Sequence, residues 1–212
     1  MRIAVRVIDD ALRDTAFDLA TRVFVAGSTV HRALGIGLEE YRAYLAPFFD
    51  AMIAQGLSLA AFDADVEVDG GKMVGCVIVT DFHAQPGEGT KVPPKFAPLT
   101  ALTDALCAQY DAQRSPDRGK AILVDMAAVL PEHAGQGVYQ TLRNAAQDHA
   151  KSHGYSKVIG ELSSAATQHT VLNRLGHKKI AEIPFDTFEI AGAFPFQSIT
   201  TPKCIVLTEG NL

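Results

Sequence analysis

The stretch Ala121–Gly154 reads AILVDMAAVLPEHAGQGVYQTLRNAAQDHAKSHG. Ala121 to Leu130 is a short apolar run, the pattern of a strand covered on both faces. Pro131 to Tyr139 is a turn with two glycines. After it, Leu142, Ala145, Ala146, His149 and Ala150 recur at helical spacing, and Gly154 stops the helix. The first N–H groups of a helix have no partner and lie at the positive end of its dipole, so this start can hold an anion. Gly135 and Gly137 remove side chains that would keep a phosphate from the backbone. The plain alternative is a strand-turn-helix whose turn happens to be rich in glycine.

Two nucleotide fingerprints do not fit. A P-loop requires Lys followed by Ser or Thr, and none follows here. A dinucleotide fold requires a third glycine after a first strand, and this strand lies past the middle of the chain.

Composition narrows the classes further. Of 212 residues, 48% are hydrophobic and 20% charged, as in an ordinary globular core. No apolar run reaches the ~18 residues of a membrane span. The start, MRIAVRVIDD, lacks a signal peptide's apolar core. A net charge of −5 argues against a broad nucleic-acid face. Cys76, Cys107 and Cys204 form no C-x-x-C pair and fit a reducing cytoplasm.

Outward from the central stretch, Ile3 to Ile8 reads as a strand, with Asp9 and Asp10 placed to cap a helix that ends near Gly27. Ser28 to Gly37 is a connection, and Leu38 to Gln55 a second helix closed by Gly56. Leu57 to Phe62 and Met73 to Thr80 form a hairpin around Asp69-Gly70-Gly71. A breaker-rich run, Gln85 to Pro98, precedes a helix over Leu99 to Ala112, so 83–120 is an insertion between strands within one domain spanning 1–212. Beyond the central stretch come a strand (Lys157 to Leu162), a short helix (Ala165 to Leu175), and two strands (Lys178 to Ile190 and Ser198 to Thr208).

The phrase V-L-P-x-x-x-G-x-G-V-x-x-x-L resembles motif A of the GNAT acetyltransferases, and the element order resembles theirs along nearly the whole chain. VLNRLGHKKIAEIPF is similar to that family's penultimate helix and strand, with His177 in place of an aromatic residue. The two N-terminal helices, the phrase GLSLAA and the helical insertion resemble the arylalkylamine N-acetyltransferase branch. The resemblance implies an α/β (α+β) fold: a mixed, mostly antiparallel, V-splayed sheet with helices on both faces. It implies acetyl-CoA as cosubstrate, its pyrophosphate on Ala134, Gly135, Gln136, Gly137, Val138 and Tyr139. Pantetheine would bond to the backbone of Ala128, Val129 and Leu130, with the oxyanion donor near Val129. Tyr139 is bulkier than the small residue usual at its place.

The activity so implied is transfer of an acetyl group to a primary amine, with a small apolar or arylalkyl amine among the candidates, by direct attack on the thioester. The alternative is a silent acyl-CoA-binding module. A base must take the amine's proton, held with a pKa of about 10 in water. Asp125 sits inside an apolar strand, where burial would make it a usable base; otherwise it is a carboxylate paired with a loop donor. Glu161 has the same two readings, and the two acids could face one cleft. His169 is either an acid or base near neutral pH, or an exposed helix residue. His133 either touches phosphate or faces solvent. His149 and His153 have metal-ligand spacing without a third ligand, so no metal site is expected. The branch's glutamate base falls at Ser28, with His31 nearby, and the tyrosine that many GNAT enzymes use falls at Leu172. The expected partner is a small amine, with neither nucleic acid nor membrane; the last strand could pair with a second copy of the chain, but nothing in the residues requires it.

Overall fold

The computed structural model describes residues 2–66, 71–84, 91–114 and 116–212. Asp69 and Gly70 of the expected hairpin tip, and 85–90 of the breaker-rich run, lie outside them. The elements run β1 (Ile3–Val7), α1 (Arg13–Gly27), α2 (Thr29–Ala33), α3 (Leu38–Ile53), β2 (Leu59–Asp63), β3 (Lys72–Asp81), α4 (Ala97–Arg114), β4 (Ala121–Val129), α5 (Val138–Ser152), β5 (Lys157–Leu162), α6 (Ala165–His169), β6 (Lys178–Pro184) and β7 (Cys204–Asn211). No helix among the described residues is long and apolar enough to cross a membrane.

The strands form one sheet in the order β1-β2-β3-β4-β5-β7-β6. Every pairing is antiparallel except β4 with β5. Strand alternation divides the core in two. Cys76 and Ile78 of β3 pack with Leu19, Phe49 and Met52 of α1 and α3. Their neighbours Val77 and Val79 pack with Val138, Leu142 and Ala146 of α5. The expected mixed, mostly antiparallel sheet with helices on both faces is therefore the observed architecture. Leu102, Leu106 and Tyr110 of α4 are fully buried against Ile159 and Leu207. A buried Leu of this kind contributes about 1.5–3 kcal/mol.

Gly75 of β3 lets α5 lie close. A Cβ there would stand 2.9 Å from the Ala128 carbonyl oxygen and 3.2 Å from Val138 Cγ1. At the other end of the contact, Gly137 precedes α5 with φ +82°, a left-handed conformation that favours glycine.

Four expectations need correction. Ser28 to Gly37 is not wholly a connection, because Ser28 Oγ accepts from the His31 N–H and caps the short helix α2. The helix over Ala165 to Leu175 is α6 followed by a π-helical turn, Thr170–Arg174. α5 buries Arg143 completely, whereas His149 is half-buried and bonded to the Gly56 carbonyl at 2.8 Å. The last two strands are shorter and displaced: pairing ends at Pro184 opposite Cys204. The apolar residues beyond, Phe185, Phe196 and Ile199, instead pin the connection beneath α4. Hydrophobic alternation is the same for a strand and for a loop tied down by buried anchors, so the sequence pattern could not separate them.

Candidate active site

β4 and β5 pair from Ala121 with Lys157 as far as Val124 with Gly160, and no further. Both strands continue, β4 to Val129 and β5 to Leu162. The sheet thus opens into a V whose first unpaired residues are Asp125 and Glu161. Asp125 is also the extra residue of a β-bulge, because Met126 pairs with Ile78 and Val124 with Val79. The bulge turns Asp125 toward β3, where Thr80 Oγ1 donates to Asp125 Oδ2 at 2.6 Å. On the other arm, Cys107 Sγ of α4 donates to Glu161 Oε1 at 3.0 Å.

Both acids touch a cavity on one side and are enclosed by protein on the others. Burial pushes the Asp125 carboxyl up to about 7, against the lowering effect of the Thr80 bond and with a further rise from Glu161. Burial also pushes Glu161 up to about 7; the Cys107 bond opposes this and Asp104 adds to it.

Two cavities meet at this pair. One, of about 200 Å³, lies between the arms of the V and reaches Tyr139 and Arg143 of α5 and Ser164 and Thr167 at α6. The other, of about 280 Å³, extends over Tyr41, Tyr44, Leu45 and Met52 of α3 and Leu99 of α4. Phe24, Ser28, Asp125 and Glu161 line both.

The open arm of β4 offers backbone groups. The Leu130 N–H donates to the Val74 carbonyl at 2.9 Å, so Leu130 is turned to β3. In an antiparallel ladder alternate residues face the neighbour, which turns Ala127 and Val129 to the open edge, and Ala128 with Leu130 away from it. At the mouth of the V, the first helical bond of α5 is Thr141 N–H to the Gly137 carbonyl. The N–H groups of Val138, Tyr139 and Gln140 consequently lack intrahelical acceptors. Ala134 and Gln136 spend their N–H groups on the turn itself. A Cβ on Gly135 or Gly137 would meet nothing within 4 Å, so these glycines serve backbone conformation and leave open space above the turn.

His169 lies apart from this cleft. It is exposed at the end of α6 and its Nδ1 meets Asn173 Nδ2 at 3.0 Å. Leu172 is in the π-helical turn. Two features escaped the site residues chosen from sequence. Ser28 and His31 form a buried pair on the α3 side of the cleft, Oγ to Nδ1 2.7 Å. Arg143, wholly buried, donates from Nη1 to Tyr139 Oη at 3.1 Å, and its Nε and Nη2 have no partner. Burial, with the Arg143 charge, pulls His177 down to about 4. Helical spacing could have exposed Arg143, which shares a face with Tyr139, Ala146 and Ala150. The resemblance had put Ser28 and His31 near the family's base position, but their seat in the cleft depends on how α2 packs over the sheet.

Solved structures share this architecture from end to end. The C-terminal condensation domain of Ebony, in complex with beta-alanyl-dopamine, matches with a TM-score of 0.86 at 11% identity over 100% of both chains. Mosquito arylalkylamine N-acetyltransferase like 5b matches at 0.81 and 17% identity, again over 100% of both chains. The chain has the GNAT acetyltransferase fold. A third match, the Salmonella typhimurium protein yncA solved with its cofactor acetyl-CoA, covers 100% of this chain and 95% of that one at 14% identity and a TM-score of 0.53. No protein-family model matches the chain, and no curated protein matches it in sequence. In this GNAT fold the V between β4 and β5 and the N-terminus of α5 are neighbours because a parallel pair needs a helical crossover.

Proposed function

We propose that the chain transfers an acetyl group from acetyl-CoA to a primary amine by direct attack on the thioester. One observation carries the reading: β4 and β5 part immediately before two carboxyls whose proton affinities lie near neutrality. The likeness to an arylalkylamine N-acetyltransferase and to a protein holding acetyl-CoA supports it.

The pyrophosphate lies on the free N–H groups of Val138 to Gln140, and pantetheine follows the open edge past Val129 and Ala127. Val129 stands four residues from Asp125, roughly 13 Å of strand. Ala127 is nearer the acids on the same edge, and its N–H is the better-placed oxyanion donor. The amine enters from the aromatic cavity. Asp125, supported by Glu161, draws the ammonium in and takes its proton. Nitrogen then bonds to the carbonyl carbon, the C–S bond breaks, and the second proton that nitrogen sheds passes through solvent to the leaving thiolate. Tyr41, Tyr44, Leu45 and Met52 give the acceptor an apolar or aryl wall.

Calorimetric titration with acetyl-CoA and CoA tests the donor half, with micromolar binding expected. Thiol release across aryl-ethylamines, polyamines and lysine peptides tests the acceptor half. Absence of binding at millimolar acetyl-CoA would end the reading; binding without thiol release would leave a silent acyl-CoA module.

A further inference from the structure

Burial brings the Asp125 and Glu161 carboxyls to the same range, about 7, so burial alone does not choose which of them acts. Their hydrogen-bond partners differ. Thr80 Oγ1 donates to Asp125 Oδ2 at 2.6 Å, the short distance of a hydroxyl bonded to a charged oxygen. Glu161 Oε1 receives a thiol, Cys107 Sγ at 3.0 Å, and S–H is a weak donor. A donor to a carboxylate favours its ionised form, and the stronger donor favours it more.

The supports differ as well. Thr80 is fully buried on β3 and pairs with Leu123 of β4. It follows Cys76 and Ile78 on the face turned to α1 and α3. Its hydroxyl thus sits on a paired strand, beside the bulge that carries Asp125. Cys107 is half-buried on α4, the helix of the insertion.

We infer that Thr80 is a positioning residue for acetyl transfer: its hydroxyl fixes one oxygen of the bulged Asp125 carboxylate and makes Asp125, rather than Glu161, the group that takes the amine's proton. This rests on the acetyl-transfer reading above. A carboxylate has about four acceptor sites, so the bond from Thr80 leaves Asp125 able to receive a proton. Glu161 keeps its own proton, because two like charges at one cleft oppose each other. Asp104 of α4 acts on Glu161 in the same direction.

The other elements around Asp125 supply no competing base among the described residues. Tyr41 of α3 feels the Asp125 charge and stays protonated, its phenol donating to Met126 Sδ at 3.0 Å. His31 of α2 is held neutral by burial, well below its ordinary pKa. α1 brings Val23, Phe24 and Gly27 to the donor cavity, and α5 brings Tyr139 and Arg143.

The experiment follows kcat against pH with the full chain and acetyl-CoA. The acceptor is whichever of the aryl-ethylamines, polyamines and lysine peptides releases most thiol. Thr80→Val keeps the shape of the side chain and removes the hydroxyl. Its rising limb should move up by about one pH unit, and kcat on the plateau should fall about tenfold. KM for acetyl-CoA should stay within about threefold, since the donor site is untouched. Thr80→Ser returns the hydroxyl and should restore limb and plateau. Glu161→Gln should retain a limb, and Asp125→Asn should lose it. Melting temperature and acetyl-CoA titration on each variant show that the fold and donor site persist; Thr80→Ala takes the place of Thr80→Val if the latter does not fold. The inference is overturned if the variant without the hydroxyl keeps both limb and plateau, if Thr80→Ser behaves like it, or if Glu161→Gln loses the limb. Should acetyl-CoA bind while none of these amines releases thiol, the acetyl-transfer reading itself falls, and this inference with it.

Discussion

The two cavities that meet at Asp125 and Glu161 are built from different materials. The proposed donor side is lined by backbone: the open edge of β4 at Ala127 and Val129, and the unpaired N–H groups at the start of α5. The proposed acceptor side is lined by side chains, with Tyr41, Tyr44, Leu45 and His31 contributed by α2 and α3. Backbone groups are the same whatever the residue. A site made from them survives sequence change, and its signature shrinks to a few glycines and a periodic helix. A site made from side chains can change its preference by one substitution.

The largest expected effect lies where the two sides meet. Asp125→Asn removes the proposed base while keeping the size of the side chain, and should lower kcat by about a hundredfold to ten-thousandfold. In the unaltered chain, kcat/KM should rise with pH through a limb near 7, because Asp125 must lose its proton to act. A pH–rate profile that keeps this limb in Asp125→Asn would pass the role to Glu161. The sign for stability is opposite. A carboxyl held above its ordinary pKa favours folding while protonated, so its contribution is present below about pH 4 and is lost as pH rises toward about 7.

A smaller effect breaks the donor side alone. Gly137→Asp puts a negative charge where the phosphates are proposed to lie, and should weaken acetyl-CoA binding by about a hundredfold in calorimetry. The left-handed φ of +82° adds a modest folding cost, which Asp tolerates better than most residues. Unchanged affinity would remove the pyrophosphate from this turn. The smallest effect tests the packing that holds the turn against the V. Gly75→Val forces side-chain atoms against the Ala128 carbonyl and α5, and should cost about 1–3 kcal/mol in denaturant unfolding. A neutral result would mean that α5 shifts freely on the sheet.

Much of the fold was legible along the chain because it rests on short-range rules. The strand Lys157–Leu162 was bounded correctly by its apolar run, and the spacing of Leu102, Leu106 and Tyr110 placed α4, whose observed span Ala97–Arg114 is two residues longer at each end. Legibility failed where burial came from distant partners. Phe185, Phe196 and Ile199 resemble strand residues, yet they anchor a loop. Arg143 has the composition of a surface residue, yet α5 turns it onto Gly160 with the guanidinium sealed in.

The sequence by itself determined the strand-turn-helix of residues 121–154, since hydrophobic period, glycine and helix start are properties of neighbouring residues. It also supplied Asp125 and Glu161 as acids inside apolar strands. Only the tertiary structure decided that these two stand at the first step of an open V, and that Ser28 and His31 join them while His169 does not. The reason is that strand pairing, bulge position and the seat of α2 are fixed by contacts between residues far apart in the chain. A local pattern records which face a residue prefers, but it does not record what waits there.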